Sequence, residues 1–101
     1  MRPLILFIHG FGSCGWGEKS LQLRRHFGLN QVLAPDLPYH PDDAMRQLRG
    51  KLRKLTPTTI AYLEHLISTY GERYPRRSEI ARFETVDVRA VSRQNLRVAY
   101  D

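Results

Sequence analysis

The feature that most constrains the fold is an apolar run, residues 4–8, that passes directly into a glycine-rich stretch. The run reads Leu-Ile-Leu-Phe-Ile without polar alternation, which is typical of a strand buried on both faces. Four glycines then fall within residues 9–17, where they give the backbone conformations that are closed to other residues. The sequence therefore predicts a buried strand that ends in a sharply turning loop.

A helix and a second strand follow this loop. From Glu18 onward apolar residues recur at helical spacing, and Gly28 supplies a C-terminal stop. Arg24 and Arg25 are predicted to be exposed on this helix, and residues 31–34 to form a short strand. The order strand, loop, helix, strand is a βαβ unit with parallel strands, so the predicted fold class is α/β.

A stiff connector leads to the next helix. Residues 35–41 contain three prolines, each of which fixes its own φ and restrains its predecessor, and Asp36 between them is predicted to form a turn. Asp42 or Asp43 can cap a helix that runs through Leu52.

The second half is predicted to begin with an amphipathic helix. Thr56 and Pro57 are suited to its N-cap and first turn, and Gly71 to its end. Its apolar stripe is predicted to be a core or partner-binding face. The residues of the stripe are Ile60, Leu63, Leu66, Ile67 and Tyr70.

Two short strands complete the predicted α/β architecture of a small βαβ unit, an amphipathic helix and C-terminal strands. Ser78 can cap a short turn, and residues 85–88 and 96–100 alternate as strands do. Because Asp101 directly follows the last strand, we expect a cut rather than a natural terminus.

The length and charge distribution indicate one small domain made of two unlike segments. The chain has 101 residues and a net charge of +6. Residues 1–45 hold four basic and four acidic side chains, whereas residues 46–101 hold twelve basic and six acidic ones. We therefore predict segments 1–50 and 51–101, packed as one compact or partly assembled unit.

Composition also excludes several classes of protein. No apolar run approaches the about 20 residues of a membrane span, and none precedes a signal cleavage site. Cys14 is the single cysteine, which excludes an internal disulfide and predicts a cytoplasmic setting. No Cys/His cluster has zinc spacing, so no metal or other cofactor is predicted.

The first segment resembles the opening of small α/β-hydrolase-fold esterases. The resemblance rests on the strand, on His9-Gly10-Phe11-Gly12 directly after it, and on the later Pro-Asp-Leu-Pro stretch, and it ends near Leu48. It implies that the amide of Phe11 is an oxyanion-hole donor and that His9 and Gly10 shape the turn.

The nucleophile elbow Gly-x-Ser-x-Gly of that family is absent, so an intact esterase is not expected. Ser13 and Cys14 are nucleophile candidates, Cys14 with His9, His26 or His40 as its base; the alternative for Cys14 is a small side chain that only fits a glycine loop. Anion binding at the N-terminus of the first helix is an alternative use of the loop.

The second segment resembles type IIA DNA topoisomerase A subunits, of topoisomerase IV and gyrase, in the region before their C-terminal domain. The resemblance rests on Tyr70-Gly71, on the Arg-Arg-Ser-Glu-Ile run and on Phe-Glu-Thr-Val-Asp-Val. The catalytic tyrosine motif of that family is absent, so DNA cleavage is not expected. A basic patch is a candidate nucleic-acid site, formed by Lys51, Arg53, Lys54, Arg73, Tyr74, Arg76 and Arg77.

These features together predict a small chimeric or designed protein without complete catalytic machinery. It would bind a protein partner through the face of residues 60–70, or nucleic acid through its basic patch. Exposed strand edges would also favour self-association. The alternatives are a truncated esterase that retains only its oxyanion loop, and a topoisomerase A fragment with DNA affinity but no cleavage activity.

Overall fold

The computed structural model describes residues 3–10, 14–64 and 77–91. These residues form four strands, three α-helices and one turn of 3₁₀-helix at Leu29–Gln31. In chain order the strands and α-helices are β1 (Ile5–Ile8), α1 (Glu18–Phe27), β2 (Val32–Leu33), α2 (Pro41–Leu52), β3 (Thr59–Glu64), α3 (Arg77–Ala81) and β4 (Val86–Val91).

The strands form one parallel sheet in the order β2-β1-β3-β4, which confirms the α/β class and the parallel βαβ unit. Ile5 of β1 lies opposite Val32 on one side and Ile60 on the other. The chain leaves β1 toward β2 and then crosses back over β1 to β3. Because right-handed crossovers in opposite directions place their helices on opposite faces, both faces of the sheet are covered.

Two apolar clusters show how the faces are filled. Leu6 and Ile8 of β1 point to the face that α2 and α3 cover, whereas Ile5 and Phe7 point to the face that α1 covers. The first cluster draws residues from before and after position 50, so both compositional segments contribute to it. Its buried members are Leu6, Ile8, Leu37, Ala44, Leu48, Leu52, Ala61, Leu63 and Ile80.

The helix predicted from Thr56 is wrong where the structure describes it, because residues Thr59–Glu64 form strand β3. This strand lies between β1 and β4 and is covered on both faces, so it reads as a near-continuous apolar run. Ile60 and Leu63, which share a stripe in a helix, lie on opposite faces here. Ile60 and Leu63 of the predicted partner face therefore belong to the sheet. The other residues of that face, Leu66, Ile67 and Tyr70, lie outside the described residues.

The observed ends of the helices agree better with the sequence-based predictions. Helix α1 ends at Phe27 and Gly28 has a φ of 96°, as the predicted glycine stop requires. Helix α2 ends at Leu52, but its N-cap is His40 rather than Asp42 or Asp43, and the side chain of His40 accepts from the amide of Asp42.

The C-terminal part is only partly described. Strand β4 runs three residues beyond the predicted strand of residues 85–88, and the predicted strand of residues 96–100 lies outside the described residues. Within the described ranges, no helix has the length and apolar character that a membrane crossing needs.

Candidate functional site

The strand order marks one place in the sheet where a ligand would bind. The crossovers leave β1 and β3 in opposite directions, which makes the carboxyl ends of these two strands the topological switch point of the sheet. His9 and Gly10 directly follow β1 at this edge. The loop after β1 therefore begins at the topological switch point, while Phe11, Gly12 and Ser13 lie outside the described residues.

His9 is buried, with 2% of its surface exposed, and both ring nitrogens bind backbone groups. Nε2 accepts a hydrogen bond from the amide of Leu37 at 2.9 Å. Nδ1 lies 2.8 Å from the carbonyl oxygen of Gly10, and it must be the donor because Nε2 is an acceptor. The ring is thus the neutral Nδ1–H tautomer, and it has no free nitrogen to act as a base for Cys14.

Gly15 is a second residue of the same loop whose backbone groups are held by hydrogen bonds. Its amide donates to the Asp36 carboxylate at 2.6 Å. Its carbonyl oxygen accepts from the Ser20 hydroxyl at 2.6 Å and from the Arg24 guanidinium at 2.8 Å. A Cβ at this position would overlap the carbonyl oxygen of Ala34, so the close approach of the two loops requires glycine.

Arg24 was predicted to be exposed, and this prediction is wrong: it is 8% exposed, whereas its neighbour Arg25 is exposed as expected. Besides Gly15, its guanidinium contacts the Ser20 hydroxyl at 3.2 Å. The same guanidinium lies 3.6 Å from the ring centroid of Trp16, a cation–π arrangement. No local pattern predicts this burial, because two of the groups that contact Arg24, the Gly15 carbonyl and the Trp16 ring, come from the preceding loop.

Residues of the segment after β2 bind both His9 and Gly15. Asp36 holds Gly15 through its carboxylate and accepts from the Gln47 side chain of α2 through its carbonyl, at 3.1 Å. Leu37 holds His9. The loops after β1 and β2 are therefore tied together by contacts that span 21 and 28 residues of chain.

Among the described residues, the other side chains proposed for catalysis do not form a catalytic arrangement. Cys14 is exposed. His40 caps α2 through Nδ1, and His26 is exposed on α1 with its ring against Phe27, 4.6 Å between centroids. The part of the chain that the structure describes contains no group of three side chains able to hold a metal ion.

Three of the predicted nucleic-acid residues, Lys51, Arg53 and Lys54, lie away from this edge. Arg53 and Lys54 are exposed and Lys51 is half-buried, where α2 ends and the chain turns into the amino end of β3. Arg77 is the first residue of α3. The remaining members of the predicted patch, Arg73, Tyr74 and Arg76, lie outside the described residues.

One curated relative adds to this picture. The chain is 40% identical over 67 residues to a protein of Pseudomonas putida described as the dihydrolipoyllysine-residue acetyltransferase component of an acetoin cleaving system. The match covers 63% of this chain but 17% of the length of that protein. No protein-family model matches the chain, and no solved structure does. The resemblances to hydrolases and topoisomerases therefore stay predictions.

Proposed function

We propose that the chain binds the acyl group of a small ester or thioester at the carboxyl edge of β1 and β3. Binding would use backbone donors of the loop after β1 and would not need a complete catalytic set. The proposal extends the oxyanion-loop alternative drawn from the sequence, and it includes the cytoplasmic location predicted there.

The observation that carries the proposal is the pair of hydrogen bonds made by His9. Its Nδ1–H holds the Gly10 carbonyl, and Nε2 holds the ring to the amide of Leu37. A trans peptide points its N–H opposite to its C=O. The Gly10 carbonyl shares its peptide unit with the amide of Phe11, the oxyanion-hole donor that the sequence predicts, so holding this carbonyl would restrict the orientations open to that amide. A donor fixed before the ligand arrives can stabilise a carbonyl oxygen without reorganising.

The relative supports the choice of ligand class. Its description names an acetyltransferase component, so that protein is one that handles acetyl groups. The match is a piece of a much longer protein, and the extension of acyl recognition to this chain is therefore part of the proposal.

Two small molecules that differ in one carbonyl test the proposal. Phenyl acetate and ethyl phenyl ether have the same ring and nearly the same length, but only the ester has a carbonyl oxygen. In nitrogen-15 NMR titrations we expect phenyl acetate to shift the amide resonance of Phe11, the donor that the sequence predicts, and the ether to leave it nearly unchanged. Gly50, in α2 and exposed, is the control amide. Equal shifts with both molecules, or none, would refute carbonyl recognition.

Acetate release in the same samples tests the esterase alternative. A truncated esterase predicts turnover that disappears in Ser13→Ala or Cys14→Ala. Turnover that neither substitution changes would point to background hydrolysis.

A second candidate, nucleic-acid binding, is favoured by the exposed Arg53 and Lys54 beyond the end of α2. Duplex DNA binding should then weaken steeply with salt, because each phosphate contact contributes about 0.9 to the logarithmic slope. The double variant Arg53→Ala/Lys54→Ala should lower that slope by roughly 1.8. Arg25→Ala, exposed on α1, is the matched control. An unchanged slope in the double variant would exclude this surface.

A further inference from the structure

We infer that duplex DNA binds along the exposed side of α2, with its phosphate backbone closest to the helix at Gly50. The inference rests on the second candidate function, nucleic-acid binding, and extends the contact from the end of α2 along the length of the helix. It adds Arg46 and Arg49, which are not part of the basic patch predicted from the sequence.

The surface that carries the inference is a row of three exposed arginines on α2, which we call the basic face. It is formed by Arg46, Arg49 and Arg53. Residues three and four apart lie on one side of a helix, so the three side chains share a face. The opposite side of α2 is apolar and packs in the core, where Leu48 and Leu52 are buried. The basic face is therefore directed away from the sheet.

The charges of the basic face are largely unpaired within the described part of the chain. Arg46 lies 3.6 Å from the Asp43 carboxylate, but both side chains are more than half exposed, and such a pair contributes little. Arg49 and Arg53 form no ion pair with the residues that the structure describes. The helix macrodipole favours basic residues in the last turn, which accounts for Arg49 but not for Arg46 in the middle of α2. A polyanion complements these charges.

Gly50 is a second, independent observation on the same side of the helix. It is exposed, and a Cβ built at this position would meet nothing within 4 Å. Glycine inside a helix lowers stability relative to alanine, and here no neighbouring group of the described chain requires it. Because Gly50 directly follows Arg49, the missing side chain would let the backbone of a partner approach α2 between the arginines.

The shape and composition of α2 favour a duplex over other polyanions. The basic face spans seven residue steps, from Arg46 to Arg53, or about 10 Å of helix. This length is close to three phosphate steps of one DNA strand, at about 3.4 Å each along the axis. Helix α2 contains no aromatic residue on which the bases of a single strand could stack. Its apolar side is buried, so it cannot insert into a membrane surface.

Fluorescence anisotropy of a labelled duplex, measured from about 50 to 200 mM salt, tests the basic face. Arg46→Gln/Arg49→Gln should lower the logarithmic salt slope by about 1.8, since each phosphate contact contributes about 0.9. Arg46→Lys/Arg49→Lys is the matched control, because it retains both charges and should keep the slope. Two duplexes of unrelated sequence should bind alike, and one of their strands alone should bind more weakly.

Gly50→Ala separates the effect on binding from the effect on folding. Replacing a helical glycine should raise the Tm by roughly 2–8 °C. The added methyl group would lie at the point of closest approach, so DNA binding should weaken about fivefold or more. A general loss of structure cannot produce this combination of a more stable chain and weaker binding.

The outcomes separate the inference from the candidate function. No binding of duplex DNA by the wild-type chain would overturn both. A salt slope that falls in Arg53→Ala/Lys54→Ala but not in Arg46→Gln/Arg49→Gln would retain nucleic-acid binding and overturn its extension along α2. Unchanged binding by Gly50→Ala would overturn the close approach at Gly50.

Two further results would overturn the choice of duplex DNA as the partner. The first is equal or tighter binding of the single strand, or of vesicles that contain phosphatidylserine. The second is a basic face that joins two copies of this chain, which light scattering would show as self-association lost in Arg46→Gln/Arg49→Gln.

Discussion

Replacing His9 with alanine removes two hydrogen bonds, one that joins the loop after β1 to Leu37 in the segment after β2 and one to the Gly10 carbonyl within the loop. The buried amide of Leu37 would lose its acceptor, which is 2.9 Å away, and an unsatisfied buried donor costs about 1–3 kcal/mol. The ring is 2% exposed, so its loss also leaves a cavity with a further penalty of about 1–2 kcal/mol. We expect His9→Ala to lower the free energy of unfolding by about 3 kcal/mol.

Thermal and urea unfolding followed by circular dichroism would measure this effect. For a domain of this size, about 3 kcal/mol corresponds to a fall in Tm of roughly 10–20 °C. His9→Asn can place an amide donor near the Gly10 carbonyl, and His9→Gln an acceptor near the Leu37 amide, so each should recover part of the loss. His26→Ala, an exposed histidine on α1, should change stability by less than about 1 kcal/mol.

Two results would refute the reasoning. The first is a His9→Ala variant as stable as His26→Ala, because the two buried hydrogen bonds would then contribute nothing. The second is a wild-type ring that carries its proton on Nε2. The nitrogen-15 shifts of the imidazole distinguish the two tautomers, and we expect the Nδ1–H form because Nε2 accepts from Leu37.

Three further substitutions test other parts of the fold by the same unfolding measurements. Gly15→Ala should destabilise by at least about 2 kcal/mol, because a Cβ there meets the Ala34 carbonyl; a neutral effect would mean that the loops do not pack as described. Gly28→Ala should lose about 1–3 kcal/mol through its φ of 96°, although nothing crowds the site; a gain in stability would contradict this backbone conformation. Leu63→Ala should lose about 2–5 kcal/mol, since the residue is 3% exposed in β3; a surface-like effect would argue against the buried strand.

The first half of the fold follows from local signals. The apolar run of β1, the spacing of α1 and the glycine at position 28 each act within a few residues, so the sequence alone predicts them. Strand β3 could not be recognised in the same way. Its central residues Ala61, Tyr62 and Leu63 are all buried, and a short apolar run of this kind fits a buried strand and a helix equally well.

The candidate site shows the same division between local and distant causes. The position of His9 directly after β1 follows from the sequence, because the strand and the glycines fix it. The burial of Arg24 and the contact of Asp36 with Gly15 depend on how two loops meet, 21 residues apart in the second case. The sequence predicts only a turn at Asp36, because a carboxylate between prolines carries no sign of the amide that it binds.

The polar side chains at this edge share one property that bears on mechanism. His9 binds the Gly10 carbonyl and the Leu37 amide, and Gly15 is held through its own carbonyl and amide. These side chains therefore orient peptide groups, and the ring nitrogens of His9 are fully used in doing so. A site built for nucleophilic catalysis directs a side-chain base at a nucleophile. An arrangement that fixes backbone groups is better suited to presenting amide donors to a bound oxygen, which is why we propose recognition rather than turnover at this edge of the sheet.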